Sequence, residues 1–271
     1  MKHQVNSSWV SYGNLGSARW YDAAPSWLTP DPLAEKAPSI SPYVYCKNDP
    51  VNRIDPDGRD DIFDSNGNFI RHTEGGSNVV ILNENNENVA LSQISFLDKK
   101  PALEAIARYY LSQVDPNEFN VAVEQCGGGI SSDAMLSNEQ GTENYEIYVG
   151  EGGNVNPMLN DANNFVNSCY HESRHRYDNS TWGATIGEVN AILQQTQHPS
   201  WFDVTKDFAY SQASYAADRL NAAKISPSDK QQKMNSLNTA FVGYASFSLD
   251  KGSIKVSNQL QEVVVYGSKR R

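Results

Sequence analysis

The segment with the clearest chemical potential is a His-Glu-x-x-His pattern at residues 171–175 of the 271-residue chain. On a helix, positions i and i+4 share one face with their Cβ atoms about 5–6 Å apart, so His171 and His175 can bind one metal ion. Imidazole nitrogens at this spacing suit Zn²⁺, and the pattern predicts a zinc site. Glu172, one step round the helix, is predicted to be the general base that takes a proton from the attacking water.

A catalytic zinc site needs a third protein ligand and one open position. Glu188 is the predicted third ligand, because it follows His175 by 13 positions at the start of the next predicted helix. The same residue also fits a capping box with Thr185, in which it would only satisfy backbone N–H groups. The competing ligands in this region are Asp178, His198 and Asp203. Asp178, three positions after His175, is expected to orient a ligand histidine instead.

The pattern requires a helix, and the sequence from about residue 161 has helical character. An inward apolar stripe leads into the motif, formed by Phe165, Val166, Cys169 and Tyr170. Further helices are predicted at about 184–197, 204–224 and 226–245, and a short strand at 263–266. The loop of residues 179–183 contains Asn179 and Gly183, which favour a tight reversal that would fold the second helix back across the first.

The region before these helices has the pattern of β structure. Residues 60–93 contain short apolar runs separated by turn signals, and residues 119–123 and 145–149 alternate as strands do. Residues 101–114 form an amphipathic helical pattern. The fold class predicted is α+β, with a small twisted sheet from residues 60–150 packed on a helical half that carries the zinc. The strand at 145–149 is a candidate edge for binding an extended peptide.

Residues 12–59 differ in composition, being rich in Trp, Tyr, Pro and Asp. Ordered blocks in this segment read ARWYD at 18–22, WLTPDPL at 27–33, SPYVYCKNDPVN at 41–52 and IDPDGR at 54–59. In this order they resemble the C-terminal end of an RHS/YD-repeat core. The resemblance implies that residues 1–59 are a remnant of that core and that residues 60–271 are a toxin domain. Arg59 stands where self-cleaving members of that family have Leu, so the sequence departs from the self-cleavage pattern at this position.

The motif followed by Glu188 is similar to gluzincin metallopeptidases, in which a Glu on a following helix completes a zinc site. Together the two resemblances imply a zinc peptidase toxin that acts on a protein or peptide in a competing cell. They also imply a cognate immunity protein, and an RHS carrier or dedicated secretion machinery. Three tyrosines beyond the motif are candidates for donating a hydrogen bond to the oxyanion: Tyr177, Tyr210 and Tyr215.

Charge and hydropathy argue against other classes of function. The chain has 22 Lys and Arg against 32 Asp and Glu, a net charge of −10, so nucleic-acid binding is not expected. No apolar run reaches the roughly 18 residues of a membrane span. The N-terminus lacks the apolar core of a cleavable signal, so we expect a cytoplasmic protein in the producer that a specialised system exports. The alternative from the sequence is a non-catalytic cassette that binds metal or another protein.

Overall fold

A computed structural model describes residues 60–73, 76–126 and 135–258, together with the backbone of four strands between residues 2 and 27. These strands are Lys2–Val5 (β1), Ser8–Leu15 (β2), Ala18–Tyr21 (β3) and Ala24–Trp27 (β4). They form an antiparallel sheet in chain order. Most of the RHS-like blocks and the strand predicted at 263–266 lie outside the described residues.

The first half of the following region contains two small sheets and one helix. The first sheet contains Asp61–Phe63 (β5), Phe69–His72 (β6), Val79–Leu82 (β7) and Asn88–Ala90 (β8), in the order β6-β5-β7-β8. After helix Lys100–Leu111 (α1), the second sheet contains Asn120–Gln125 (β9), Leu136–Asn138 (β10) and Asn144–Val149 (β11). The single sheet predicted from residues 60–150 is therefore two sheets.

Strand β11 lies in the middle of the second sheet, whose order is β10-β11-β9. It pairs antiparallel with β10 and parallel with β9. The prediction that residues 145–149 form an edge strand is wrong, because both sides of this strand are occupied. Among the strands that the structure describes, β10 and β9 each pair only with β11 and so form the two edges of this sheet.

The second half is mainly helical, and the predicted α+β fold class is confirmed. Its helices are Ala162–Tyr177 (α2), Ile186–Gln195 (α3), Lys206–Ala222 (α4) and Pro227–Ala240 (α5). An antiparallel hairpin follows, formed by Ala245–Asp250 (β12) and Ser253–Asn258 (β13). None of the helices in the described part of the chain is long and apolar enough to cross a membrane.

Side-chain caps set the start of three of these helices. Asp161 accepts a hydrogen bond from the backbone N–H of Asn164 and begins α2, Thr205 caps α4 in the same way, and Ser226 caps α5. Pro227 occupies the first position of α5, where its missing N–H costs nothing. These boundaries agree with the predicted helices to within a few residues.

Helices α2 and α3 contribute to two different hydrophobic cores. The first is built from α1, the two sheets and one stripe of α2, where Phe165 and Cys169 are fully buried. The second is built from α3, α4, α5 and the terminal hairpin, and α3 contributes Val189 and Ile192. Each large apolar side chain buried in this way contributes about 1.5–3 kcal/mol to stability. Because each helix is anchored in a different core, the rotation of both helices about their axes is fixed.

Candidate metal centre

Helix α2 places the two motif histidines side by side. His171 and His175 are separated by one helical turn and are buried, with exposed fractions of 7% and 3%. Their Nε2 atoms lie 3.3 Å apart. Phe165 and Cys169 hold another stripe of the same helix in the first core, so the histidine stripe is turned toward α3.

The connection between α2 and α3 brings the start of α3 back to this stripe. The Thr181 hydroxyl donates to the Arg174 carbonyl at 2.9 Å, and Trp182 Nε1 donates to the His175 carbonyl at 2.7 Å. A Cβ at Gly187 would lie 2.3 Å from the Trp182 carbonyl oxygen, so only glycine permits this approach. The first turn of α3 is thereby held against the end of α2, and Glu188 follows directly.

The carboxylate of Glu188 meets both imidazoles. Its Oε2 lies 3.3 Å from His171 Nε2, and its Oε1 lies 3.4 Å from His175 Nε2. Among the described residues, His171, His175 and Glu188 form a group whose ligand atoms converge closely enough to hold a metal ion. The structure therefore brings together the three residues that the sequence predicts as ligands.

The spacing of these atoms fits a tetrahedral metal. Bonds of about 2.0–2.2 Å to a tetrahedral ion separate neighbouring ligand atoms by about 3.3–3.6 Å. The Nε2 atoms of the two histidines, 3.3 Å apart, agree with that expectation. Glu188 approaches each histidine through a different carboxylate oxygen, at 3.3 Å from His171 Nε2 and 3.4 Å from His175 Nε2. Two nitrogen donors and one carboxylate oxygen are also a ligand set typical of catalytic zinc sites.

Neither the capping role considered for Glu188 nor the competing ligands His198 and Asp203 are supported by the contacts of these residues. Thr185 precedes α3 but makes no side-chain capping hydrogen bond, so no capping box forms there. His198 instead caps a short helical turn through Ser200 and packs on Tyr170. Asp203 lies at the end of that turn, near Tyr244.

Asp178 does not orient a histidine, so this prediction is corrected. Its Oδ1 accepts from the Ser180 backbone N–H at 2.8 Å, and its Oδ2 accepts from Gln194 Nε2 at 2.6 Å. A carboxylate at a helix end bonds most readily to the nearest backbone N–H groups. Gln195 occupies the position that Asp178 was expected to fill, with Oε1 2.7 Å from His171 Nδ1. Gln195 was not among the residues predicted from the sequence, although it follows Glu188 by two helical turns on the same face.

Glu172 lies beside the three candidate ligands and accepts a hydrogen bond from the second sheet. Its Oε2 accepts from the backbone N–H of Asn138 in β10 at 2.9 Å, while its Oε1 lies 3.9 Å from His171 Nε2. Burial raises the pKa of Glu172, although the two histidines act in the opposite direction. A mostly buried carboxylate with a raised pKa is suited to taking and returning a proton near neutral pH.

The histidines and carboxylates of the cluster shift one another's pKa values. Burial alone would lower the pKa of His171, but the hydrogen bond to Glu188 and the charges of Glu172 and Glu188 raise it to about 9. Burial alone would raise the pKa of Glu188, but both histidines hold it far below its ordinary value. Carboxylate charge therefore concentrates where a cation would be bound.

The structure separates the three candidate tyrosines. The Tyr177 hydroxyl donates to Asp115 Oδ1 at 2.5 Å, away from the cluster, and Tyr210 packs against the second core. Tyr215 in α4 is 36% exposed, and the charge of Glu188 acts on its hydroxyl. Burial and the charge of Glu188 raise the pKa of Tyr215 to about 12, so the hydroxyl keeps its proton at neutral pH.

The charged Arg174 inside the motif points away from the cluster. Its guanidinium stacks on the ring of Tyr170, one turn earlier on α2, at 4.6 Å from the ring centroid. The unusual residue at this motif position is therefore accommodated outside the site.

Comparison with known proteins identifies the family. No curated protein and no solved structure matches the chain. The model of one family, metallopeptidase toxin 2, matches residues 61–240, a span that contains the motif and Glu188. The match begins at residue 61, after the segment of residues 12–59 that resembles an RHS/YD-repeat core. The match does not support that resemblance, which stays a prediction from the sequence. Because the match covers more than half of the 271 residues, the chain belongs to the metallopeptidase toxin 2 family.

Proposed function

We propose that this chain is a zinc-dependent peptidase toxin that hydrolyses peptide bonds, with His171, His175 and Glu188 as zinc ligands and Glu172 as general base. The observation that carries the proposal is that the Nε2 atoms of His171 and His175 and the Glu188 carboxylate converge, with separations of 3.3–3.4 Å, in a chain of the metallopeptidase toxin 2 family. Three protein ligands leave one coordination position for the reaction.

Zinc held by these residues would lower the pKa of a bound water and polarise the scissile carbonyl. Glu172 would take the proton of the attacking water and later deliver it to the leaving amine. The backbone N–H of Asn138 supports this role, because its hydrogen bond to Oε2 leaves Oε1 directed toward the ligand cluster.

Tyr215 would donate a hydrogen bond to the carbonyl oxygen as negative charge develops on it. The charge of Glu188 acts on its hydroxyl, and its side chain is partly exposed. The Arg219 guanidinium stacks on this ring at 4.5 Å from the centroid and restricts its orientation. A neutral, positioned hydroxyl suits the donation of a hydrogen bond to an oxyanion.

The edge strand β10 would help to align the substrate. Asn138 of this strand already contacts Glu172, so a peptide extended along β10 would pass beside the general base. Backbone pairing at a sheet edge binds extended peptides with little dependence on their side chains.

The toxin family fits a protein substrate and an immunity partner. We also propose that an RHS carrier or specialised secretion machinery delivers the toxin to a target cell. The toxin domain would comprise residues 60–271, with residues 1–59 as a separate segment. The family match from residue 61 supports this boundary. A chain shortened to residues 60–271 should fold and keep the activity of the full chain. If it loses activity that the full chain has, residues 1–59 belong to the catalytic unit.

The proposed function is tested by incubating the zinc-loaded full chain with a mixture of denatured proteins and detecting new peptide N-termini by mass spectrometry. New termini should appear with the wild-type chain and disappear after removal of zinc by a chelator. The same set of termini with and without chelator would contradict the proposal.

A further inference from the structure

Gln195 is a fully buried polar residue in the last turn of α3 that touches one of the candidate ligands. Its exposed fraction is 0%, and its side-chain Oε1 lies 2.7 Å from Nδ1 of His171. The other ring nitrogen of His171, Nε2, faces Glu188 and His175. Both ring nitrogens of His171 therefore have a polar partner.

A second contact holds Gln195 against α2. The Nδ2 of Asn167, one turn before His171, donates to the backbone carbonyl of Gln195 at 3.3 Å and to Ser200 Oγ at 2.9 Å. The end of α3 is thus fastened to the same face of α2 that carries the histidines. This contact sets the distance at which the Gln195 side chain meets His171.

Packing alone does not account for a glutamine at this position. Its Nε2 is buried and has no hydrogen-bond partner among the described residues. A buried, unpaired polar group typically costs about 1–3 kcal/mol, which an apolar side chain of similar size would avoid. What glutamine provides, and an apolar side chain would not, is the side-chain oxygen Oε1 beside Nδ1 of His171.

We propose that Gln195 is a positioning residue that fixes the tautomer and the ring orientation of His171. An amide oxygen can only accept a hydrogen bond, so Nδ1 must carry a proton and the Nε2 lone pair is left for the metal. This inference rests on the metal site of the proposed function. A neutral amide also orients the ring without adding a third negative charge to Glu172 and Glu188.

The test compares the zinc affinity of four full-length chains by competition with a chelator of known affinity. They are the wild type, Gln195→Leu, Gln195→Glu and the control Gln194→Leu. Gln194 is the adjacent residue of the same type on the same helix, but its side chain donates to Asp178 and not to a histidine. Loss of a partner that orients a ligand histidine commonly weakens metal binding by about 10–100-fold.

We expect Gln195→Leu to lose affinity by that factor, Gln195→Glu to stay within a few-fold of wild type because it keeps the acceptor, and Gln194→Leu to be unchanged. Wild-type affinity in Gln195→Leu overturns the inference, and so does equal loss in Gln195→Glu or in Gln194→Leu. A wild-type chain that binds no zinc would instead refute the proposed function.

A second readout does not depend on the folding of any variant. Long-range ¹H–¹⁵N spectra of the zinc-loaded wild type report which nitrogen of His171 carries the proton. A proton on Nδ1 supports the inference, and a proton on Nε2 overturns it.

Discussion

Replacement of Glu172 by glutamine separates proton transfer from metal binding. In the structure the Glu172 Oε2 accepts from the Asn138 backbone N–H at 2.9 Å, and a glutamine oxygen can keep this bond. The amide cannot take a proton, and the loss of a general base commonly lowers the rate by about 10²–10⁴-fold. This factor corresponds to about 2.7–5.4 kcal/mol of transition-state stabilisation. Zinc content should stay at the wild-type level, because Glu172 is not among the three converging ligands.

The assay follows turnover of a peptide substrate together with zinc content in wild type, Glu172→Gln and a matched control. Glu118→Gln serves as the control, because Glu118 is exposed and lies outside the ligand cluster. The control should retain wild-type turnover. Wild-type turnover in Glu172→Gln, with zinc bound, would show that this carboxylate is not the base.

Three further predictions concern the residues around the metal. Loss of a partner that orients a ligand commonly weakens metal binding by about 10–100-fold, and Glu188→Gln should weaken zinc binding by more than that because it changes a ligand itself. Competition with a chelator would measure the loss. Tyr215→Phe should lower turnover by about 10²–10³-fold at unchanged zinc content, whereas Tyr210→Phe should not. The pKa of His171 is raised from 6.5 to about 9 and that of Glu188 is lowered from 4.5. In metal-free protein, their pairing should therefore stabilise the fold fully between pH 4.5 and 6.5, and this contribution should be lost as the pH rises through about 9. Melting temperatures across this range should show the full decline in wild type and a smaller decline in Glu188→Gln, in which the charge of Glu172 still raises the pKa of His171.

The parts of the site that depend on helical spacing could be predicted from the sequence. The i and i+4 spacing of His171 and His175 is sufficient to place both imidazoles on one face, because helix geometry is the same in every protein. Asn179 and Gly183 after the motif predicted a reversal that folds the next helix back across the first. The structure adds Gly187 to this connection, since only glycine fits at that position against the Trp182 carbonyl.

The remaining contacts depend on packing between distant segments, which the sequence does not display. Strand β10 has three residues and was not predicted, and its contact to Glu172 is through a backbone N–H, which nearly every residue carries. The hairpin β12–β13 was missed for a similar reason, because the predicted fourth helix was extended over its start. Asp178 was misassigned because spacing alone cannot show that Ser180 and Gln194 compete for its carboxylate.

The zinc content of the purified full chain, measured by elemental analysis, tests the proposed metal centre directly. We predict about one zinc per chain in the wild type and almost none in His171→Ala, because that change removes a nitrogen from a three-residue ligand set. A wild-type chain without zinc, or a His171→Ala chain that keeps it, would contradict the assignment of this cluster as the metal centre.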